Sequence, residues 1–237
     1  MDIYGCLCGA IQTQYDTVRQ IKSSERGSIR VVRHRLSGTR YIFREFEGSA
    51  AVYQKLLPVA CGNLPQIMEA GERDGRVAVL EEYVQGDTLA FLLEGGSLSP
   101  KQARKIMRQL CSALWVLHSL GAVHRDIKPE NVILRGNEAV LIDFDASRIV
   151  KGSSQTNTDT MVLGTTGYAA PEQYGISQTD PRADIYSLGV LLNVMLTGEH
   201  PSRRQASGKM GAIVRRCTMI SPDNRYQNVL HLMEVLR

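Results

Sequence analysis

The sequence contains no apolar run close to the ~18 residues that a membrane-spanning helix needs. Its beginning lacks the layout of a secretory signal peptide, with a basic, an apolar and a small-residue region. Lys and Arg are dispersed and the net charge is only +4, so no basic run indicates a nucleic-acid partner. We therefore expect a globular, cytoplasmic chain with no nucleic-acid partner and no membrane contact.

Regular cysteine spacing is also missing. The five cysteines are an odd number, and their positions do not match a structural zinc site: Cys6, Cys8, Cys61, Cys111 and Cys217. The pair Cys6 and Cys8 alone is a weak metal signal, and reduced thiols are the simpler interpretation. The composition favours a reducing compartment.

Two acidic motifs carry the chemistry that the sequence does contain. The first is HRDIKPEN at residues 124–131, and the second is DFD at 143–145, directly after an apolar run. Phosphoryl transfer requires a carboxylate that receives the hydroxyl proton and oxygen ligands for Mg²⁺. Asp126 suits the first role, and Asn131 and Asp143 suit the second.

These motifs resemble the catalytic loop and the metal-binding motif of the protein kinase family, and in particular its compact bacterial Ser/Thr members. The resemblance covers about residues 15–237. It implies an α+β, two-lobed kinase fold forming a single catalytic domain over 1–237. A small lobe, about 15–83, has a five-stranded antiparallel sheet with one helix. A hinge at about 82–87 leads to a mostly helical lobe at about 88–237.

The activity that the resemblance implies is transfer of the ATP γ-phosphoryl group to Ser or Thr hydroxyls of a protein, with Mg²⁺. Lys128 matches the lysine that Ser/Thr kinases place after the catalytic aspartate, where it neutralises charge on the phosphoryl group. Segment 164–172 is similar to the end of a kinase activation segment. Within it, Thr165 matches the threonine whose hydroxyl bridges to the catalytic aspartate and lysine.

Three structural contacts in the larger lobe follow from the same resemblance. Asp184 is expected to hold the backbone of the catalytic loop, and Glu172 to pair with Arg225. His124 is expected to be a buried packing residue that supports Phe144 rather than a general base.

The small lobe departs from the family pattern at its glycine-rich loop. Aligned on the following strand, the three glycine positions fall at Lys22, Ser24 and Gly27, so only the third is glycine. Since glycines permit close backbone approach to phosphate, we expect a looser phosphate cradle. The resemblance assigns these residues to the ATP site: Lys22, Ser24, Gly27, Ile29, Ile42, Arg44, Glu81, Glu82, Val84 and Ile133.

A second departure concerns the cation that contacts the phosphates. The family has lysine where this chain has Arg44, and the predicted helix at 49–57 places no glutamate within its reach at 51–53. An acid is found instead at Glu81, behind the adenine position. Because either charge would be costly to bury alone, we expect the two side chains to pair.

The segment 147–161 is rich in Ser, Thr, Gly and Asn. Arg125, before the catalytic aspartate, marks kinases whose activation segment is ordered by phosphate. The candidate autophosphorylation sites are Thr156, Thr158 and Thr160, followed by Ser153 and Ser154. A plain solvated linker is the alternative.

Local patterns predict further elements. Turn residues divide 15–46 into three strands, and an Asp74-Gly75 turn joins strands at 63–69 and 76–82. Ser99 and Pro100 open a long amphipathic helix. For residues 1–14, a short helix and a flexible lead-in stay equally open.

Two other functions also stay open. The eroded glycine loop, Arg44 and the missing helix glutamate are typical of a pseudokinase that serves as a binding or scaffold module. A small-molecule phosphotransferase can share the arrangement of Asp126 and Asn131. The sequence indicates no oligomeric state.

Overall fold

A computed structural model describes residues 2–150, 167–174 and 180–237 of the chain. The chain divides into two compact units, Met1–Val84 and Gln85–Arg237.

The first unit is built on a five-stranded antiparallel sheet in the order β1-β2-β3-β5-β4. Its strands are β1 (Tyr15–Ser24), β2 (Gly27–His34), β3 (Arg40–Glu47), β4 (Ile67–Arg73) and β5 (Arg76–Glu82). At the predicted Asp74-Gly75 turn both residues have positive φ, 52° and 74°, as a tight hairpin requires. The predicted five-stranded sheet is confirmed.

One strand boundary was predicted wrongly. The strand expected at 63–69 begins only at Ile67 and continues to Arg73. The residues before it form a turn, in which the Leu64 N–H donates to the Cys61 carbonyl at 3.0 Å. Pro65 has no N–H to donate to a strand ladder, so the chain becomes extended only after it.

Two helices flank the sheet, α1 (Ile3–Gln14) and α2 (Ala51–Leu56). Of the two possibilities for the first residues, the helix is the one found. It buries Leu7 and Ile11 in a core formed by these sheet residues: Val32, Phe43, Ala78 and Leu80. The helix α2 lies against the opposite face, where its Tyr53 ring is 5.9 Å from that of Phe46.

The second unit is mostly helical. Its helices are α3 (Leu89–Glu94), α4 (Pro100–Ser119), α5 (Arg182–Thr197), α6 (Gly208–Cys217) and α7 (Val229–Val235). Short strands accompany them: β6 (Asp87–Thr88), β7 (Ala122–Val123), β8 (Val132–Arg135), β9 (Glu138–Leu141) and β10 (Arg148–Ile149). These elements, together with the sheet and the two helices of the first unit, form the predicted α+β architecture.

The long helix α4 begins as its sequence predicts. Ser99 is the N-cap, Pro100 is the first helical residue, and Ser99 and Gln102 form a reciprocal capping box. Its apolar side chains are buried at helical spacing. After its last residue the chain continues into β7 and then into the motif at 124–131. Across the described ranges, no helix combines the length and apolarity needed to cross a bilayer.

Candidate active site

The loop between β7 and β8 is fixed by one buried carboxylate. Asp184, in the first turn of α5, accepts hydrogen bonds from the backbone N–H groups of His124 and Arg125, both at 2.9 Å. The third partner of Asp184 is His118 Nε2 at 2.8 Å. Burial by itself raises the pKa of Asp184, but the bonds and charges of its partners outweigh it and hold that pKa below its ordinary value. The predicted role of Asp184 as the anchor of the loop is confirmed.

On this loop, three of the predicted residues lie together. The Asp126 carboxylate Oδ2 is 2.7 Å from Lys128 Nζ and 3.0 Å from Asn131 Nδ2. Asn131 Nδ2 also donates to the Asp126 carbonyl at 2.8 Å. Asp126 and Lys128 keep 15% and 20% of their side chains exposed, so the carboxylate is held in place and still open to solvent.

Asp143 lies at the same end of a hairpin as Asn131. The strands β8 and β9 pair in register from Val132 opposite Leu141, and the Ile142 N–H donates to the Asn131 carbonyl at 2.9 Å. Asp143, the next residue, adopts a positive φ of 71°. Strand pairing therefore places two residues that are twelve positions apart in the sequence at the same end of one hairpin.

The side-chain oxygen atoms of Asn131 and Asp143 are of the kind that binds Mg²⁺. Since Asn131 directs its amide nitrogen at Asp126, its oxygen Oδ1 is the atom left to serve as a ligand. Asp143 adds a carboxylate. Magnesium prefers oxygen ligands and typically binds one or two protein groups together with phosphate oxygens.

His124 is a packing residue, as predicted. It is fully buried, and its ring centroid lies 5.4 Å from that of Phe144 in an edge-to-face contact. Burial lowers its pKa, because the protonated ring would lose its hydration, although the carboxylates nearby oppose this effect. The buried ring packs against Phe144 of the second motif.

Glu172 attaches its short 3₁₀ helix, Pro171–Tyr174, to the rest of the second unit. Its carboxylate pairs with Arg225 through two bonds of 2.6 and 2.8 Å, which confirms the predicted pair. Arg225 is buried and also donates to three carbonyls: those of Met219, Ile220 and Arg182. Sequence reasoning missed Gln173, whose side-chain amide donates to the Arg125 carbonyl at 2.9 Å and so ties this segment to the catalytic loop.

Thr165 and the candidate phosphorylation sites lie outside the described residues. This applies to Ser153, Ser154, Thr156, Thr158 and Thr160.

In the first unit, the predicted pair of Arg44 and Glu81 is confirmed. Arg44 Nε and NH2 both donate to Glu81 Oε1, at 3.1 and 2.7 Å. Both residues are buried, with 3% and 2% of their surface exposed. Sequence reasoning missed Tyr53 of α2, whose ring centroid lies 5.8 Å from Arg44 Cζ, because an aromatic residue on a helix does not indicate which surface it contacts.

The predicted phosphate-loop residues occupy the hairpin of β1 and β2. Lys22 pairs with Ile29 across the hairpin, and the exposed Ser24 pairs with Gly27. A Cβ at Gly27 would overlap the Glu45 carbonyl oxygen of the neighbouring strand. The glycine at this position thus permits close packing of β2 on β3.

The remaining predicted nucleotide residues are divided between the units. Ile42 pairs with Glu81 across β3 and β5. The Glu82 N–H donates to the Gln66 carbonyl at 2.8 Å, and Val84 is buried at the end of the first unit. Ile133, in the second unit, is half-buried on β8 opposite Val140.

Comparison with known proteins agrees with this geometry. The sequence profile of the family described as protein kinase domain matches residues 16–234. The chain therefore belongs to the protein kinase family.

Its relatives include named bacterial kinases. The chain is 32% identical over 188 residues to the serine/threonine-protein kinase pkn2 of Myxococcus xanthus, which covers 77% of this chain and 22% of that protein. It is 34% identical over 180 residues to PknB of Mycolicibacterium smegmatis, covering 65% and 29%. With PknL of Mycobacterium tuberculosis the identity is 35% over 177 residues, covering 73% and 43%. The chain thus spans less than half the length of these relatives.

Proposed function

We propose that this chain transfers the γ-phosphoryl group of ATP to Ser or Thr hydroxyls of a protein substrate, with Mg²⁺ as the metal. The observation that carries the proposal is the Asp126 carboxylate, 2.7 Å from Lys128 and 3.0 Å from Asn131 on a loop anchored by Asp184. The names of the relatives support Ser/Thr as the acceptor.

Each residue of this cluster has a role in the proposed reaction. Asp126 orients the substrate hydroxyl and accepts its proton, and Lys128 neutralises charge that develops on the transferred group. Asn131 and Asp143 hold the magnesium ion, which supplies charge neutralisation at the phosphates when it is bound. Arg44 contributes a further cation for the phosphates, and backbone groups of Glu82 and Val84 bind the adenine edge.

Nucleotide contacts are also proposed for the rest of the predicted set. Lys22, Ser24 and Gly27 contribute the phosphate loop, with Ile29, Ile42 and Ile133 as apolar contacts of the base. The resemblance to the family also gives Thr165 a role in the proposed reaction, together with Asp126 and Lys128. The pseudokinase alternative is not supported, because the chain keeps each residue of the catalytic loop and its relatives are named as kinases.

The test is an assay of the purified chain with Mg-ATP, generic protein substrates and, in parallel, aminoglycosides. We expect labelled γ-phosphate in serine or threonine of the protein substrates, or of the chain itself. Label in the aminoglycosides alone would establish a small-molecule phosphotransferase. Nucleotide binding without transfer to any acceptor would establish a binding module.

A further inference from the structure

The helix α2 provides no carboxylate for the buried cation of β3. Its sequence, AVYQKL, contains neither Asp nor Glu. Arg44 is nevertheless buried, with only 3% of its surface exposed. A buried guanidinium remains charged, because its pKa lies far above neutrality, so a counter-charge must come from another element.

That counter-charge comes from the sheet. In the register of β3 and β5, Arg44 lies opposite Val79 and Glu81 lies opposite Ile42. Arg44 and Glu81 are thus offset by two positions on adjacent strands. Because side chains alternate between the faces of a sheet, the two lie on the same face as diagonal neighbours. The resulting pair has bonds of 2.7 and 3.1 Å to the same carboxylate oxygen.

The geometry of the pair matters for anion binding. The bonds to Glu81 use the Nε and NH2 edge of the Arg44 guanidinium. A guanidinium has five N–H donors in one plane, so one side chain can bind a carboxylate along one edge and a phosphate along another. An ammonium group lacks this division into edges.

The contribution of α2 is of another kind. Tyr53 presents its ring to the Arg44 guanidinium, with 5.8 Å between Cζ and the ring centroid. Such a cation–π contact is weaker and less directional than a charged hydrogen bond. The helix therefore contributes a ring contact to this cation, while β5 contributes two charged hydrogen bonds.

We propose that Glu81 is the positioning residue of Arg44 and aims its guanidinium at the phosphates of the nucleotide. The sheet then sets the orientation of this cation, independently of any acid on α2. The proposal rests on the proposed function for the identity of the ligand, and it concerns phosphate recognition rather than the transfer step.

The test compares affinity for ATP, with Mg²⁺, and for adenosine, which lacks the phosphates. The variants are Glu81→Gln, Arg44→Met and the double variant Arg44→Met/Glu81→Leu. Loss of a charge-assisted contact to phosphate is worth about tenfold or more in affinity. Each single variant should therefore weaken ATP binding by about that factor and weaken adenosine binding much less. The double variant should be no worse than the Arg44→Met protein, because the two residues act as one unit.

Two control variants change other residues of the first unit, Met1–Val84. Glu45→Gln removes the acid next to Arg44 in sequence, whose partner is Arg30 at 3.0 Å on the other face of the sheet. It should leave both affinities unchanged. Tyr53→Leu removes the ring contact and should lower the ratio of ATP to adenosine affinity less than Glu81→Gln does. Thermal unfolding of every variant checks that it is folded, and the apolar double variant provides a pair replacement that a buried site tolerates.

The outcomes separate this proposal from the proposed function. Equal losses for ATP and adenosine, an unchanged ATP affinity in Glu81→Gln, or additive losses in the double variant would overturn the positioning role, even if the wild type phosphorylates proteins. A wild-type chain that shows the predicted affinity pattern without transferring phosphate would overturn the proposed function alone. A wild-type chain that binds no ATP would overturn both.

Discussion

Arg225 is a buried side chain that donates five hydrogen bonds. Its side chain has no exposed surface, and it binds both oxygens of Glu172. Replacing it by methionine, Arg225→Met, keeps most of the volume but leaves the Glu172 carboxylate buried without its cation. We expect the free energy of unfolding to fall by ~3–5 kcal/mol, the usual cost of breaking a buried pair, as measured by urea denaturation.

The matched control is an ion pair at the surface of the same unit. Arg135 and Glu138 are 3.0 Å apart with 33% and 49% of their side chains exposed. Arg135→Met should change stability by no more than about 1 kcal/mol. Similar effects of the two substitutions would show that the Glu172 pair contributes no more than an exposed one.

Protonation of His124 should make stability depend on pH. Burial holds its pKa below the ordinary 6.5. As the pH falls below 6.5, the unfolded chain binds a proton that the folded chain excludes, so the free energy of unfolding decreases, by up to ~1.4 kcal/mol per pH unit. The lowered pKa of Asp184 acts with the same sign at lower pH, below its ordinary 3.8.

Urea denaturation at several pH values between 7.5 and 5 measures how the titration of His124 changes the free energy of unfolding. His124→Phe keeps an aromatic ring against Phe144 and removes the titration, so its stability should be lower at every pH but flat in this range. A wild-type stability that does not change between pH 7.5 and 5 would contradict a lowered pKa of the buried His124.

At the scale of residues, the sequence was sufficient to predict which side chains lie close together where a motif places them at fixed spacing. Asp126, Lys128 and Asn131 lie on one loop, so their proximity follows from local order. Gln173 and Tyr53 could not be found in this way, because their contacts depend on how separate elements pack.

At the scale of elements, the docking of α1 on the sheet depends on a glycine of β4. A Cβ at Gly71 would come within 3 Å of the Tyr4 backbone in α1. Gly71→Ala should therefore displace the helix from its buried contacts at Leu7 and Ile11 and lower the free energy of unfolding by ~1–3 kcal/mol. Thermal or urea denaturation measures the change.

A second glycine serves as the control for this substitution. Gly9, inside α1, has open space around its missing Cβ. Gly9→Ala should be neutral or stabilise the chain by up to ~1 kcal/mol, through helix propensity. If Gly71→Ala were equally harmless, the close backbone contact between α1 and β4 would be refuted.

Element predictions succeeded where the signal is local. The Asp74-Gly75 turn and the Ser99 capping box each specify a backbone conformation through a few adjacent residues. The helix α1 stayed open because it buries only Leu7 and Ile11, a short apolar stripe whose partners on the sheet are distant in sequence. The beginning of β4 differs from the prediction because Pro65 has no N–H for a strand ladder, so the strand begins only at Ile67.

At the scale of the whole molecule, nucleotide binding should be visible in stability. A ligand that binds only the folded state raises the melting temperature, and Mg²⁺ completes its coordination with phosphate oxygens. We expect Mg-ATP to raise the melting temperature of the wild-type chain. Asp143→Ala, which removes the proposed carboxylate ligand, should reduce or abolish the increase. Equal increases in both proteins would mean that Asp143 is not required for binding.

The architecture as a whole could be inferred from few residues, because the motifs at 124–131 and 143–145 belong to a family with one fold. The pairing of Arg44 with Glu81 could also be inferred, since two buried opposite charges on neighbouring strands have few other partners. The additional helix contact through Tyr53 could not, because an aromatic residue on a helix is equally suited to packing against any apolar surface.

The central claim, that Asp126 is the base of a protein phosphotransferase, is tested most directly by the turnover of Asp126→Asn. The control is Asp223→Asn, the same chemical change at a side chain that is 83% exposed. With Mg-ATP and a protein substrate, we expect Asp126→Asn to lose ~10²–10⁴ in turnover, the usual contribution of a general base. Its melting temperature should stay near that of the wild type, and Asp223→Asn should retain full turnover. An Asp126→Asn protein with more than about a tenth of the wild-type turnover would contradict the account.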